Sequence, residues 1–129
     1  MVITTSGSLT RDGRAVLGRG VARQALAHCP ELPYLLGEKL RTGGNHVHPL
    51  GESLASFPVE ETAWSLPDPA LIARSAGELR ALADRHHWPA IALPRPGCGG
   101  GGLSWATVRP LLAAEFDDRF RIVDRNQPP

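Results

Sequence analysis

Five of the six residues from 97 to 102 are glycine, and four more glycines, Gly7, Gly13, Gly18 and Gly20, fall between residues 7 and 20. Nine of the chain's fourteen glycines therefore lie in two short windows. Glycine lets backbone amides approach a ligand closely and reach conformations closed to other residues. Successive amides at a helix N-terminus bind anions, phosphates above all. Gly18-x-Gly20 alone reads as readily as a tight turn, since short glycine pairs are common. Five glycines in six positions ask for more, because each costs conformational entropy on folding. Two such loops point to a diphosphate or phosphosugar ligand.

The rest of the chemistry-bearing residues narrow that ligand. Neither loop contains Gly-Lys-Ser/Thr, so the P-loop for a triphosphate and magnesium is absent. In Gly18-Arg19-Gly20-Val21-Ala22-Arg23 an arginine stands where a dinucleotide fingerprint needs its third glycine, and the loop comes too early for a full Rossmann unit. Kinase-like transfer and hydride chemistry are unsupported, and no cofactor is called for. His46-x-His48 would place two imidazoles on one side of a strand, and His86-His87 end a helix. Neither pair has a third ligand at metal-site spacing, and Cys29 and Cys98 are isolated from them, so no metal site is expected. Cys98 sits among glycine-loop amides that could lower its pKa, with packing or ligand contact as its plainer role. Arg95, between two prolines, reads equally as a phosphate ligand and as a brace for its loop.

Composition bounds the class. The chain has 129 residues, 42% hydrophobic and 21% charged, which suits one globular domain with one core. A formal charge of +1 provides no field for unspecific binding to nucleic acid or membrane. The thirteen arginines are scattered along helices and do not form a basic surface. Set against the single lysine, Lys39, and sixteen alanines, they read as coding bias of a GC-rich genome. Two cysteines are too few for a disulfide framework, no apolar run approaches the roughly 18 residues of a membrane span, and the first residues lack a signal peptide's basic region. A cytoplasmic protein is expected.

The elements that must position the two loops follow from local pattern. Residues 2–5 are β-branched and predict a buried strand at the start. A polar loop with an Asp12-Gly13 turn leads to a helix over 21–28, ended by Pro30, and a second over 33–41, stopped by Gly43-Gly44. Two strands are predicted at 46–50 and 53–57 around a turn at Gly51, then a loop from 58 to 67. Asp68 and Pro69 are an N-cap and first-turn pair for a helix to about His87, with Ile72, Ala76, Leu79 and Ala83 on one stripe. Residues 90–93 make a short strand, and Trp88 beyond that helix reads as core, like Trp105. Ser104 caps a helix through Leu111, Leu112 and Phe116, in which Pro110 costs one backbone bond. Residues 120–123 are a last strand, and about 125–129 a polar tail. Strands alternating with helices predict an α/β fold with a largely parallel sheet covered on both faces, in a single domain over 1–129.

Arg14-Ala15-Val16-Leu17-Gly18-Arg19-Gly20-Val21-Ala22, following the first strand, resembles the first ligand loop of macro domains. Residues 94–105 resemble the second, in the form P-R-x-G-C-G-x-x-x-L-x-W. That form belongs to the branch of the terminal ADP-ribose protein glycohydrolases and the Appr-1''-p processing proteins. Leu36-Gly37-Glu38, Ser56-Phe57-Pro58 and Ile72-x-x-Ser75 extend the similarity over most of the chain. The resemblance implies a three-layer α/β/α macro-domain-like fold with a mixed, largely parallel central sheet, binding ADP-ribose. It implies ligand contacts at Val16, Leu17, Gly18, Gly20, Val21, Pro96, Gly97, Cys98, Gly99, Gly100, Gly101 and Gly102.

The family's glycohydrolases use a lysine after the F-P strand and an aspartate in the second loop. Those positions fall here near Val59 or Glu60 and on Gly101, while Lys39 lies on the second helix. Ser6, where related chains carry a small polar residue, could orient ligand or water, or be a plain loop serine. Glu60 and Glu61, in a proline-rich loop with Trp64 that could edge the site, could act as a general base if either reaches the water at the anomeric carbon. A solvated charge pair is the alternative. The expectation is an ADP-ribosyl hydrolase that frees ADP-ribose from modified acceptors, acidic side-chain esters foremost, by positioning and water attack without the lysine–aspartate pair. A non-catalytic reader of ADP-ribose and an enzyme processing a free ADP-ribose derivative are the alternatives. The partner is then ADP-ribose or an ADP-ribosylated protein, with an ADP-ribosylated nucleic acid left open.

Overall fold

The computed structural model describes residues 1–18, 20–51, 53–99 and 102–123. Its elements run β1 (Val2–Ser6), α1 (Val21–His28), α2 (Leu32–Gly43), β2 (Ala55–Glu60), α3 (Pro69–His86), β3 (Ile91–Pro94), α4 (Trp105–Ala113) and β4 (Phe120–Val123). The polar tail predicted beyond β4 lies outside the described residues, as do Arg19, Gly100 and Gly101.

β1 and β2 pair in parallel, Val2 opposite Ala55 and Thr5 opposite Pro58, and an irregularity after Thr5 brings Ser6 opposite Glu60. Proline cannot donate to a ladder and is tolerated in sheets at such breaks, which accounts for Pro58 inside a buried strand. The buried Ser75 hydroxyl on α3 donates to the Pro58 carbonyl at 2.7 Å. β3 and β4 also pair in parallel, Ile91 opposite Phe120. β3 lies beside β1, so the two parallel pairs sit side by side. Antiparallel contacts are confined to isolated bridges, Leu9 with Ala15 and Pro49 with Ala55.

Alternation along β1 assigns the two faces. Val2 joins a core with Phe57, Val59, Ile72, Ala76, Leu79, Leu93, Val108 and Leu112, drawn from β2, α3, β3 and α4. Ile3 points the other way, into a core with Val21, Ala22, Leu32, Leu36 and Leu40 from α1 and α2. The two parallel strand pairs are thereby sandwiched between α1–α2 and α3–α4, the three-layer α/β arrangement. Each fully buried side chain of this size contributes about 1.5–3 kcal/mol. Gly37 lets α2 close on the first loop, because a Cβ there would lie 2.1 Å from the Gly13 carbonyl oxygen.

Caps set the helix ends. Asp68 accepts from the Ala70 amide at 2.9 Å, and Ser104 from the Thr107 amide at 3.2 Å. α3 ends on His87 in the left-handed conformation (φ 54°). α4 contains Pro110 and stops at Ala113, short of the expected Phe116.

One predicted element is not formed. Residues 46–50 make no strand, and the second strand runs Ala55–Glu60, so Pro58 to Glu60 belong to the sheet and not to the following loop. The cause is where the backbone donors go. The Val47 amide donates to Glu78 Oε1 at 3.0 Å and the His48 amide to Ser56 Oγ at 2.9 Å. Backbone pairing here is thus limited to the Pro49–Ala55 bridge, where the Ser56 amide donates to the His48 carbonyl at 2.9 Å and the Leu50 amide to the Leu54 carbonyl at 2.7 Å. The two imidazoles take separate partners: His46 Nδ1 meets Glu78 Oε2 at 2.6 Å, and His48 Nε2 meets the Gly44 carbonyl at 2.8 Å. Among the described residues no helix is long and apolar enough to cross a membrane, and no group of three or more His, Cys, Asp and Glu is arranged to hold a metal ion.

Candidate functional site

Parallel strands bring their carboxyl ends, Ser6, Glu60, Pro94 and Val123, to one edge of the fold, and the two glycine loops leave from two of those ends. Between them opens a cleft of about 970 Å³. One wall is Gly18, Gly20 and Val21 of the first loop. The opposite wall is Arg95, Gly97, Cys98, Gly99, Gly102, Leu103, Ser104 and Trp105. Thr4, Val59 and Glu60 reach it from the sheet, and Ala63, Ser65, Leu66 and Pro67 from the loop after β2. A second hollow, of about 220 Å³, lies between the amino ends of β1, β2 and β3 and is lined by Met1, Val2, Ala55, Trp88 and Ile91 among others.

The glycines of the two loops divide into two kinds. Gly97 has φ 73°, and a Cβ on it would lie 2.8 Å from Ile72 Cδ1. A Cβ on Gly102 would lie 2.2 Å from the Gly97 carbonyl oxygen, which itself accepts from the Leu103 amide at 2.7 Å. These two are glycine because the loop folds back on itself. Among the described residues a Cβ on Gly18 or Gly99 meets nothing within 4 Å, and neither has a positive φ. No described residue requires glycine there; both are bare backbone lining the open cleft.

Gly20 combines both properties. It adopts φ 70°, ψ −131°, a region essentially reserved for glycine, and it is the N-cap of α1. It offers no side chain, and α1 has no side-chain cap, unlike α3 and α4. An uncapped helix start leaves its first amides and the positive end of the helix dipole for another acceptor. Val21, the first residue of α1, lines the cleft.

Charge in the cleft is segregated. Arg95 stands on the second-loop wall with its guanidinium carbon 4.9 Å from the centre of the Trp105 ring. Glu60 stands at the end of β2, half-buried, and burial pushes its carboxyl above the usual carboxylate range. Its main chain is pinned by the Asn45 amide group, which donates to the Glu60 carbonyl at 3.1 Å. Burial also raises the Cys98 thiol, against the opposing pull of Arg95. The lowered pKa that loop amides suggested for Cys98 is thus corrected: desolvation outweighs the nearby positive charge.

Of the other residues singled out in the sequence, Val16, Leu17 and Pro96 belong to the loops but do not line the cleft; Leu17 packs on the core under α1 and Pro96 is fully buried. Ser6 is buried and accepts from the Ser8 amide at 3.4 Å, the arrangement of a loop-bracing serine. Glu61 is exposed and outside the lining, and Trp64 stands 83% exposed beside it. Gly100 and Gly101 lie outside the described residues. Thr4, Leu66 and Trp105 are lining residues that sequence reasoning missed. Trp105 was marked only by its place in the second-loop motif and was read as core, which its partial packing on the α3–α4 core bears out in part.

No protein-family model and no curated protein matches the chain. Solved structures do. Against the macrodomain of Mycobacterium tuberculosis DarG the TM-score is 0.75, at 21% identity over 95% of this chain and 85% of that one. Against the macrodomain of Thermus aquaticus DarG it is 0.67, at 20% identity over 98% and 99%. A Thermosipho africanus DarTG structure in complex with ADP-ribose gives 0.72 at 19% identity, covering 99% of this chain and 39% of that one. The sandwich of a parallel sheet with its cleft at the strand carboxyl ends is therefore the macro-domain fold.

Proposed function

We propose that this chain binds ADP-ribose in the cleft between its two glycine loops and hydrolyses the bond joining ADP-ribose to a modified acceptor, an acidic side-chain ester. The observation that carries the reading is the convergence on one cleft of an uncapped helix start at Gly20 and bare backbone at Gly18 and Gly99. That surface suits a diphosphate, whose oxygens need close amide donors and no side chains in the way. The likeness to a structure containing ADP-ribose supports the choice of ligand. In this reading Gly18, Gly20 and Val21 contact the diphosphate and one ribose from one side, and Gly97, Cys98, Gly99 and Gly102 from the other.

Catalysis then rests on positioning. No lysine lines the cleft, and Lys39 sits exposed on α2, so a lysine adduct is not the route. Backbone amides hold the diphosphate and fix the anomeric carbon for attack by water, and such proximity and electrostatic terms supply several kcal/mol. The same missing lysine favours a second reading, a reader that binds without turnover. Calorimetry with ADP-ribose, ADP and AMP tests the site: ADP-ribose binding no tighter than AMP overturns both readings. Incubation with an auto-ADP-ribosylated protein then separates them, since the hydrolase releases free ADP-ribose and the reader none. Release of phosphate or an acyl group from a free ADP-ribose derivative would identify the third activity.

A further inference from the structure

Glu60 is the one acidic side chain among the described residues that line the cleft; the other titratable groups there are Arg95 and Cys98. Its position is set by the sheet. The irregularity after Thr5 shifts the register so that Ser6 pairs with Glu60, and Asn45 holds the Glu60 carbonyl from the opposite side. This places a half-buried carboxyl at a strand end that shares the cleft with both glycine loops. A diphosphate repels a carboxylate, and at short range in a partly dry site the repulsion is strong. The phosphates must therefore lie toward the α1 start and Arg95, and the uncharged ribose is the part of the ligand that can lie against Glu60.

We propose that Glu60 is the general base of the hydrolysis, a role that rests on the ADP-ribosyl hydrolase reading above. Its carboxylate takes one proton from a water molecule as the water oxygen bonds to the anomeric carbon of the ribose. The bond from that carbon to the acceptor carboxylate breaks, and its electron pair leaves with the acceptor, which departs as a free carboxylate. The products are ADP-ribose and the unmodified acid, and Glu60 passes its proton to solvent. No oxidant, metal or cofactor enters the balance. Exposed Glu61, next in sequence, lies outside the cleft and cannot substitute.

The test compares wild type with Glu60→Gln and Glu60→Asp, by calorimetry with ADP-ribose and by release of ADP-ribose from a protein carrying carboxylate-ester ADP-ribose. Removing a general base costs about 10²–10⁴ in rate. Glu60→Gln is expected to lose turnover by that factor while its ADP-ribose affinity stays within about threefold of wild type, because the diphosphate lies away from Glu60. Glu60→Asp is expected to retain part of the rate. The acidic limb of the wild-type kcat profile is expected above the ordinary carboxylate range and absent in Glu60→Gln. Wild-type turnover with an equally active Glu60→Gln overturns the role of Glu60 alone. Wild-type binding without turnover overturns the hydrolase reading, and the base with it. Should Glu60→Gln fold poorly, Glu60→Asp carries the test, and a rate and pH limb identical to wild type would again overturn the role.

Discussion

Alanine substitutions at the loop glycines separate binding surface from scaffold. At Gly18 and Gly99 a methyl group meets no atom of the described residues within 4 Å, and neither glycine has a positive φ. Replacing glycine where its conformation suits alanine stabilises a fold by about 0.4–1 kcal/mol through the unfolded chain. At Gly102 the methyl would sit 2.2 Å from the Gly97 carbonyl oxygen, and relieving that contact breaks the Leu103–Gly97 hydrogen bond. Overpacking of this kind costs about 1–3 kcal/mol, and a net hydrogen bond about 1 kcal/mol more. For a domain of this size 1 kcal/mol moves Tm by roughly 3–5 °C. Gly18→Ala and Gly99→Ala should therefore melt at or slightly above the wild-type temperature, and Gly102→Ala several degrees to more than ten below it. Ligand affinity should divide the other way. A methyl at Gly99 or Gly18 holds a diphosphate off its amides, and one lost charge-assisted hydrogen bond is worth about 1.5–3 kcal/mol, a ten- to hundredfold rise in Kd. Thermal denaturation and calorimetry with ADP-ribose read both quantities on the same samples. Unchanged affinity in both Gly18→Ala and Gly99→Ala would refute the placement of the diphosphate against bare backbone.

Further outcomes follow from single side chains. Lys39→Ala, on an exposed stretch of α2, should leave both turnover and stability unchanged, the latter within about 0.5 kcal/mol; loss of turnover would restore a lysine route. The Asp117 carboxyl is pulled down from 3.8 to about 2, chiefly by hydrogen bonds from Arg119. A depressed carboxyl stabilises the fold above its unfolded value, and the contribution is lost as pH falls from about 4 toward 2. Asp117→Asn should lower the urea midpoint at pH 7 and lose that deficit near pH 2; a deficit constant across the window would contradict the sign. Ser75→Ala removes the buried donor to the Pro58 carbonyl and should cost about 1–3 kcal/mol in urea denaturation, with no change in cleft residues.

The helices were legible because their ends are chemically marked. Asp68-Pro69 and Ser104 predict the starts of α3 and α4, and both caps are made. The sheet was less so. Residues 46–50 carry strand-like alternation, yet the Val47 and His48 amides are taken by Glu78 and Ser56, partners 31 and 8 positions away that no local pattern reveals. Pro58 argued for a loop, and only the register break opposite Thr5 explains how β2 accommodates it. That misreading moved Glu60 off the sheet, and with it the clearest reason for its fixed position. The glycine loops were legible as a pair, but not the division within them. Clustering alone cannot separate Gly102, where a Cβ would lie 2.2 Å from a carbonyl oxygen, from Gly99, where a Cβ would meet no described residue.

That division bears on how such a cleft can do chemistry with few polar side chains. A loop in which every glycine served folding would present only turns, and one in which none did would lack a fixed shape. Here Gly97 and Gly102 fold the second loop onto itself through the Leu103–Gly97 bond, which holds the bare backbone at Gly99 in place. Preorganised amides do not need to move when charge develops, which is why they can be worth as much as side chains in a partly dry site. They supply no proton acceptor, however. Hydrolysis of an ester at neutral pH must deliver one proton away from the attacking water. Among the described lining residues the Arg95 guanidinium offers donors only, burial raises the Cys98 thiol, and Glu60 is the group with an acceptor carboxyl at a strand end. On the proposed hydrolase reading, binding and catalysis separate by experiment: the glycine variants are expected to act on Kd, and the Glu60 variants on kcat.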